Sequence, residues 1–120
     1  MEISFIGAAG EVTGSKHIVR TDASTVLLDC GLYQGLKALR EKNWSALPVP
    51  AKSIRAVVLT HAHLDHSGYL PRLVKEGFRG DIYMSAATAA VAELILLDSA
   101  KIQEKEAADA NRHGYSRHKP

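Results

Sequence analysis

The most constraining feature of the sequence is a crowded group of polar side chains directly after an apolar segment. The apolar segment is IRAVVLT, residues 54–60, and it predicts a β-strand that is buried on both faces. The next six positions read HAHLDH and hold three of the six histidines in the chain, together with one aspartate. The sequence therefore predicts a chemical site at the carboxyl end of this strand.

Further strand patterns place this strand in a sheet. Alternating or β-branched apolar residues predict strands over 2–6, 16–20, 24–29 and 81–85. A helical turn is expected near 37–42, within an irregular segment that contains Pro48 and Pro50. Strands that alternate with helices indicate an α/β (α+β) fold with one mixed β-sheet and helices packed on it.

Two helices are predicted in the second half of the chain. The first covers about 67–77, with Ser67 as its N-cap and Pro71 in its first turn. The second covers about 86–110 and is followed by a helix-stopping glycine at position 114. The expected apolar face of this second helix consists of Val91, Leu94, Ile95, Asp98 and Ile102.

Composition limits the class of protein. A chain of 120 residues is the size of one small domain, and a net charge of +2 gives no global indication of nucleic-acid or membrane binding. A protein with this net charge can still bind RNA through a local basic patch. The single cysteine, Cys30, fits a reducing compartment, and neither a signal peptide nor a membrane span is readable. These features predict a cytoplasmic protein with no membrane association.

The polar cluster has the residue types of a metal site. His61 and His63 are two residues apart, so an extended backbone projects both side chains to the same side. Asp65 and His66 follow at a bend and can face the same pocket. A single histidine after a strand is usually a hydrogen-bonded or solvated residue, but clustered imidazoles with a carboxylate are typical zinc ligands. Four ligands in six positions are too crowded for one tetrahedral ion, which favours two ions.

The motif THAHLDHSG also resembles the HxHxDH motif of the metallo-β-lactamase superfamily. The resemblance implies that His61 and His63 bind one Zn²⁺, and that Asp65 and His66 bind a second. The segment LLDCG resembles an earlier motif of the same superfamily, which implies that Asp29 orients the ligands through hydrogen bonds. Without the histidine cluster, Asp29 would be interpreted as the cap of a turn.

The segments GAAGEVTGSKHIV, LLDCGLYQG and HSGYLPRL are similar to those of the β-CASP branch, whose members are RNA-processing nucleases. This resemblance covers about 3–110. It implies that 1–120 is the N-terminal half of an αββα sandwich, with the β-CASP insert and the remaining metal ligands elsewhere in a longer protein. It also implies hydrolysis of RNA phosphodiesters, with Asp65 and His66 as catalytic ligands, and a possible homo-oligomer at full length.

Other residues carry weaker expectations. The loop with Gly10, Glu11, Thr13 and Gly14 either presents backbone N–H groups to the scissile phosphate or forms a tight hairpin. Strand surface is the expected position of Lys16 and His17, and protein surface that of His113 and His118.

Two other functions stay open at this point. One is a different metallo-β-lactamase-type hydrolase, such as a thioesterase of the glyoxalase II type. The other is a non-catalytic subunit of an RNA-processing complex, which the intact HAHLDH motif disfavours because degenerate family members usually lose these ligands. The isolated 120 residues are expected to be inactive, with incomplete metal coordination and exposed apolar surface on one sheet.

Overall fold

The computed structural model describes residues 1–115, which form one five-stranded mixed sheet with helices packed on it. The strands are β1 (Glu2–Gly7), β2 (Lys16–Arg20), β3 (Thr25–Leu28), β4 (Ile54–Val58) and β5 (Asp81–Tyr83), in that spatial order. The helices are α1 (Lys37–Glu41), α2 (Leu64–Ser67), α3 (Leu70–Lys75) and α4 (Ala86–His113). The predicted α+β class and mixed sheet are confirmed. His118 lies outside the described residues.

The direction of the strands follows from the connections between them. The turn after β2 is closed by Thr21, whose hydroxyl accepts hydrogen bonds from the N–H groups of Ala23 and Ser24. This tight turn makes β2 and β3 antiparallel, as β1 and β2 also are. Longer connections that contain helices join β3 to β4 and β4 to β5, and both of these pairs are parallel. Parallel pairing brings the carboxyl ends of β3, β4 and β5 to the same edge of the sheet.

One face of the sheet carries the hydrophobic core. Ile18, Leu27 and Val57 lie side by side on adjacent strands and are buried. Tyr69, the residue before α3, packs with them, and so do the other buried members of the cluster, among them Leu70, Leu73 and Phe78. The core thus fixes α3 against the same sheet that carries the HAHLDH segment.

The other face of the sheet is open. Cross-strand register places Ile3, Phe5, Val58 and Tyr83 on this face, where their exposure ranges from 37% to 68%. The prediction that the 54–60 strand is buried on both faces is therefore wrong. Its alternate residues point to a face that no element within residues 1–115 covers.

The long helix α4 is packed through a different side from the one that the sequence predicted. Ala92 is buried and Leu96 packs against the core, whereas Val91, Leu94 and Ile102 are about half exposed or more. Apolar residues surround the first half of this helix on all sides, so their spacing did not identify the packed side. Gly114 ends the helix with a left-handed conformation (φ +68°), as predicted.

The segment predicted as one helix with Ser67 as N-cap is two short helices. Ser67 is the last residue of α2 and fully buried, and its hydroxyl donates to the carbonyl oxygens of Ala62 and His63, at 3.0 Å each. The N-cap prediction is wrong because this hydroxyl bonds backward into the preceding turn. Pro71 lies in the first turn of α3, as expected. Within residues 1–115, none of the helices combines the length and apolar composition needed to cross a bilayer.

Lys16 is buried rather than on the strand surface. Its side chain is 3% exposed, and its ammonium lies 4.6 Å from the ring centre of Tyr33 and 4.8 Å from that of Tyr69. Burial lowers the pKa of Lys16 from 10.5 to about 8. The expectation of a surface position is therefore wrong. Lys16 can be buried because the rings of Tyr33 and Tyr69 lie against its ammonium.

Stability is expected to rise between pH 8 and pH 9. In this interval Lys16 loses its proton in the folded protein but keeps it in the unfolded chain, so the unfolded state binds more protons and deprotonation favours folding. This effect is about 1 kcal/mol. Burial raises the pKa of Cys30 to about 12, which acts in the opposite direction and offsets part of the gain. Urea unfolding should give a higher free energy of unfolding at pH 9 than at pH 8. In Lys16→Met the free energy of unfolding should instead be lower at pH 9.

Candidate metal centre

The site forms where the neighbouring parallel strands β3 and β4 end. The N–H of Asp29 donates to the carbonyl oxygen of Val58 at 2.8 Å, and the N–H of Leu59 donates to that of Tyr83 at 2.9 Å. These bonds extend the strand pairing by one residue beyond each strand. Asp29 is thereby placed beside the residues that lead into HAHLDH.

Asp29 organises this edge of the sheet. It has a left-handed backbone conformation (φ +57°), which an aspartate adopts more readily than most residues. Its carboxylate is buried and accepts hydrogen bonds from the Thr60 N–H at 2.8 Å, the Thr60 hydroxyl at 2.9 Å and His66 Nδ1 at 2.8 Å. Because a carboxylate only accepts, the His66 bond keeps a proton on Nδ1 and leaves Nε2 of the neutral ring as a lone-pair donor.

The four residues expected to bind metal are brought together. The His61 ring centre lies 3.9 Å from that of His66 and 4.8 Å from that of His63. The Oδ2 atom of Asp65 is 3.4 Å from Nε2 of His66. The Thr60 hydroxyl, 2.9 Å from His61 Nδ1, connects the first histidine to the Asp29 network.

The backbone around this cluster is held by crossed hydrogen bonds. The N–H of Ser15 donates to the Asp65 carbonyl oxygen at 2.8 Å, and the N–H of Cys30 donates to that of His66 at 2.7 Å. The N–H of Gly31 in turn donates to the Ser15 carbonyl oxygen at 2.9 Å. Two segments that are distant from this turn in the sequence therefore hold the backbone of Asp65 and His66 in place.

The donor set has the chemistry of a zinc site. Two ligand atoms about 2.1 Å from one tetrahedral ion are roughly 3.4 Å apart, which is the separation of Asp65 Oδ2 from His66 Nε2. However, within residues 1–115 no three histidine, cysteine, aspartate or glutamate side chains are arranged to hold one ion together. The residues present fit a site that needs further donors.

A cleft of about 400 Å³ adjoins the cluster. It lies between the turn of α2 and the side of α4, and its lining residues are Gln34, His63, Leu64, Asp65, Ile95 and Asp98. Sequence reasoning assigned Asp98 to an apolar helix face and missed it as a site residue. The sequence feature that could have identified it is a carboxylate at a helical position where the neighbouring residues of the same face are apolar.

The glycine-containing loop reaches this cleft through one residue. The Thr13 hydroxyl accepts a hydrogen bond from the N–H of Gln34 at 3.1 Å. Glu11 instead forms an ion pair with Lys42. Gly10 and Gly14 have φ values of +72° and +78°, which make the loop turn sharply. Of the four loop residues, Thr13 contacts a residue of the cleft, and Glu11 is engaged by a lysine outside it.

The substitution Asp29→Asn is expected to switch the tautomer of His66. An amide presents an N–H group where the carboxylate accepted a hydrogen bond, so the neutral ring would move its proton from Nδ1 to Nε2. We expect a loss of roughly 1–2 kcal/mol in the free energy of unfolding as well. Nitrogen-15 NMR of the metal-free protein, at a pH where the ring is neutral, distinguishes the two tautomers. The exposed Asp22→Asn is the control, and an unchanged His66 tautomer in Asp29→Asn would contradict the assigned role.

Comparison with known proteins is consistent with this geometry. Residues 10–103 match the Metallo-beta-lactamase superfamily. Among solved structures, the short form of human tRNase Z is 23% identical, with a TM-score of 0.50 over 82% of this chain and 41% of that one, which supports the fold.

Curated relatives include two longer proteins. Ribonuclease TTHA0252 of Thermus thermophilus is 45% identical over 105 residues, which cover 88% of this chain and 24% of the relative. The transcription termination factor FttA of Methanocaldococcus jannaschii is 34% identical over 106 residues, which cover 88% of this chain and 17% of the relative. The chain thus spans a quarter or less of the length of these relatives.

Proposed function

The chain belongs to the metallo-β-lactamase superfamily, and we propose on that basis that it is the N-terminal half of the αββα metal-binding domain of a β-CASP-type ribonuclease. The observation that carries the proposal is the Asp29–His66–Asp65 arrangement. The buried Asp29 orients His66 so that its free Nε2 lies beside the Asp65 carboxylate. The 45% identity to a ribonuclease supports RNA as the substrate.

In this proposal, His61 and His63 hold one Zn²⁺, and Asp65 and His66 contribute to a second. Zinc, when bound, would supply positive charge that makes water more acidic and offsets the charge on phosphoryl oxygens. The protein residues keep these ligands in place: Asp29 holds the proton on His66 Nδ1, and Thr60 supports His61. The ligands that residues 1–115 do not provide would come from elsewhere in a longer protein.

The cleft beside the cluster is the proposed path of the RNA strand. Its position next to His63 and Asp65 would bring a phosphodiester to the metal ligands, and Gln34 and Asp98 also line it. Thr13 would position Gln34 through the hydrogen bond between them. This arrangement gives the glycine-containing loop an indirect part in substrate binding.

The cellular setting belongs to the same proposal. A cytoplasmic location suits a protein whose single cysteine, Cys30, is a buried free thiol. RNA would be its partner, and the protein would not associate with membranes. Homo-oligomers would form, if at all, in the full-length protein.

A substrate comparison on the full-length protein tests the proposal. We expect cleavage of single-stranded RNA, loss of that cleavage after treatment with a chelator, and recovery on addition of zinc. Turnover of a thioester without RNA cleavage would instead assign the protein to the glyoxalase II type. Absence of both activities in a zinc-loaded protein would favour a non-catalytic subunit.

A further inference from the structure

A second cavity lies apart from the metal ligands, beneath the irregular segment that follows α1. Its volume is about 220 Å³. Its walls are formed by Ile6, Lys16, Tyr33, Lys42, Ser45, Ala46, Leu47, Pro48 and Tyr69. Drug-sized ligands use pockets of roughly 300–1,000 Å³, and a water molecule occupies about 30 Å³, so this volume suits a small ion or molecule.

The ammonium of Lys16 is the charged group at the wall of this cavity. It carries three N–H donors, and among residues 1–115 it forms no hydrogen bond with a protein acceptor and no ion pair with a carboxylate. The rings of Tyr33 and Tyr69 lie against it, but a ring face replaces only part of the solvation of a buried ammonium. The protein therefore places a largely buried positive charge at the cavity without an anion to balance it.

Some of the other polar groups of the cavity already have hydrogen-bond or ion-pair partners in the protein, and others do not. The Tyr33 hydroxyl donates to the Ile6 carbonyl oxygen at 3.0 Å, and the Tyr69 hydroxyl is directed to the Glu76 carboxylate at 3.3 Å. The Ser45 hydroxyl has no protein partner among the described residues. Lys42 is paired with Glu11. The cavity therefore offers hydrogen-bond donors and positive charge, and the carboxylates nearby are already bound to other groups.

We propose that this cavity binds a small oxyanion of the phosphate type. The Lys16 ammonium would pair with its charge, and the Ser45 hydroxyl would donate a hydrogen bond to it. The ligand would supply the negative charge and the acceptor atoms that the Lys16 ammonium lacks. Such a phosphate group has two sources, free orthophosphate and the terminal phosphate of a nucleotide. None of the residues that line this cavity is a proposed metal ligand.

Acylation of lysines in the full-length protein tests this directly. The protein is treated with a chelator, so that phosphate has no metal to bind, and is labelled with a trace of an amine-reactive reagent at pH 8. Mass spectrometry then measures labelling at each lysine with orthophosphate or with sodium chloride of equal ionic strength. We expect orthophosphate to slow labelling of Lys16 at least threefold and to leave the exposed Lys37 unchanged. Equal labelling of Lys16 in the two salts would overturn the proposal.

Variants provide a second measurement. Phosphate should raise the melting temperature of the wild type and of Lys37→Met, and it should not raise that of Lys16→Met. If Lys16→Met does not fold, Ser45→Ala replaces it and should require several-fold more phosphate for the same protection of Lys16. A phosphate effect that is unchanged in these variants contradicts the site.

Adenosine 5′-monophosphate identifies the source of the phosphate group. Protection of Lys16 by the nucleotide as well as by orthophosphate would indicate a site for terminal phosphates. Protection by orthophosphate alone would indicate a site for the free ion. Failure of both probes to protect Lys16 would show that the cavity does not bind phosphate.

Discussion

Replacing His63 with alanine in the full-length protein is expected to reduce RNA cleavage about a hundredfold to a thousandfold. The substitution removes one proposed ligand of the first zinc and therefore charge that would stabilise the transition state, and the loss of one such group typically has an effect of this size. The ring of His63 is exposed, and its centre lies 4.8 Å from that of the His61 ring. Folding should therefore be affected by less than about 0.5 kcal/mol.

A matched substitution separates this effect from the general loss of a histidine. His113 is also exposed, and it lies at the far end of α4, where Nδ1 is 2.8 Å from the Asp109 carbonyl oxygen. His113→Ala should cleave RNA like the wild type, and both variants should have wild-type melting temperatures without metal. Wild-type cleavage by His63→Ala would remove this residue from the proposed centre.

Replacing Gly31 with alanine is expected to destabilise the fold by at least about 3 kcal/mol, the upper range of overpacking effects. A Cβ at position 31 would lie 1.6 Å from the Asp65 carbonyl oxygen. That oxygen accepts the hydrogen bond from the Ser15 N–H, so it cannot move away without breaking the crossed hydrogen bonds around the cluster. Urea unfolding of the metal-free protein measures the loss.

The Gly35→Ala variant is the control for this prediction. Gly35 has a φ of +89°, and a Cβ added there would meet no atom within 4 Å, so alanine introduces backbone strain without a clash. A loss of about 1–2 kcal/mol is expected. If Gly31→Ala were no more destabilising than Gly35→Ala, the close contact between the Gly31 backbone and the Asp65 turn would not be important for stability.

Local sequence patterns predicted the parts of the fold that depend on neighbours in the chain. The predicted strand KHIVR has the same bounds as β2, and the position of HAHLDH directly after a strand follows from the apolar run before it. The hydrogen bond from His66 to Asp29 spans 37 residues. The sequence suggested a role for Asp29 only through resemblance, because residue spacing does not show which strands are neighbours.

The errors have a common cause, which is tertiary contact. Lys16 is buried because Tyr33 and Tyr69 are brought around it from two other segments. Ser67 bonds backward because α2 is a single short turn with its own hydrogen bonds. Asp98 lines the cleft because α4 packs through Ala92 and Leu96, which turns the predicted apolar face away from the core. None of these contacts leaves a periodic pattern in the sequence.

The zinc content of the purified full-length protein tests the central claim most directly. Elemental analysis after removal of loosely bound metal is predicted to find about two zinc ions per chain, from the paired arrangement of proposed ligands. A variant with alanine at both Asp65 and His66 should lose at least one of them, and His113→Ala should retain both. Absence of tightly bound zinc from the wild type, or full retention by the double variant, would contradict the assignment of the HAHLDH cluster as a metal centre.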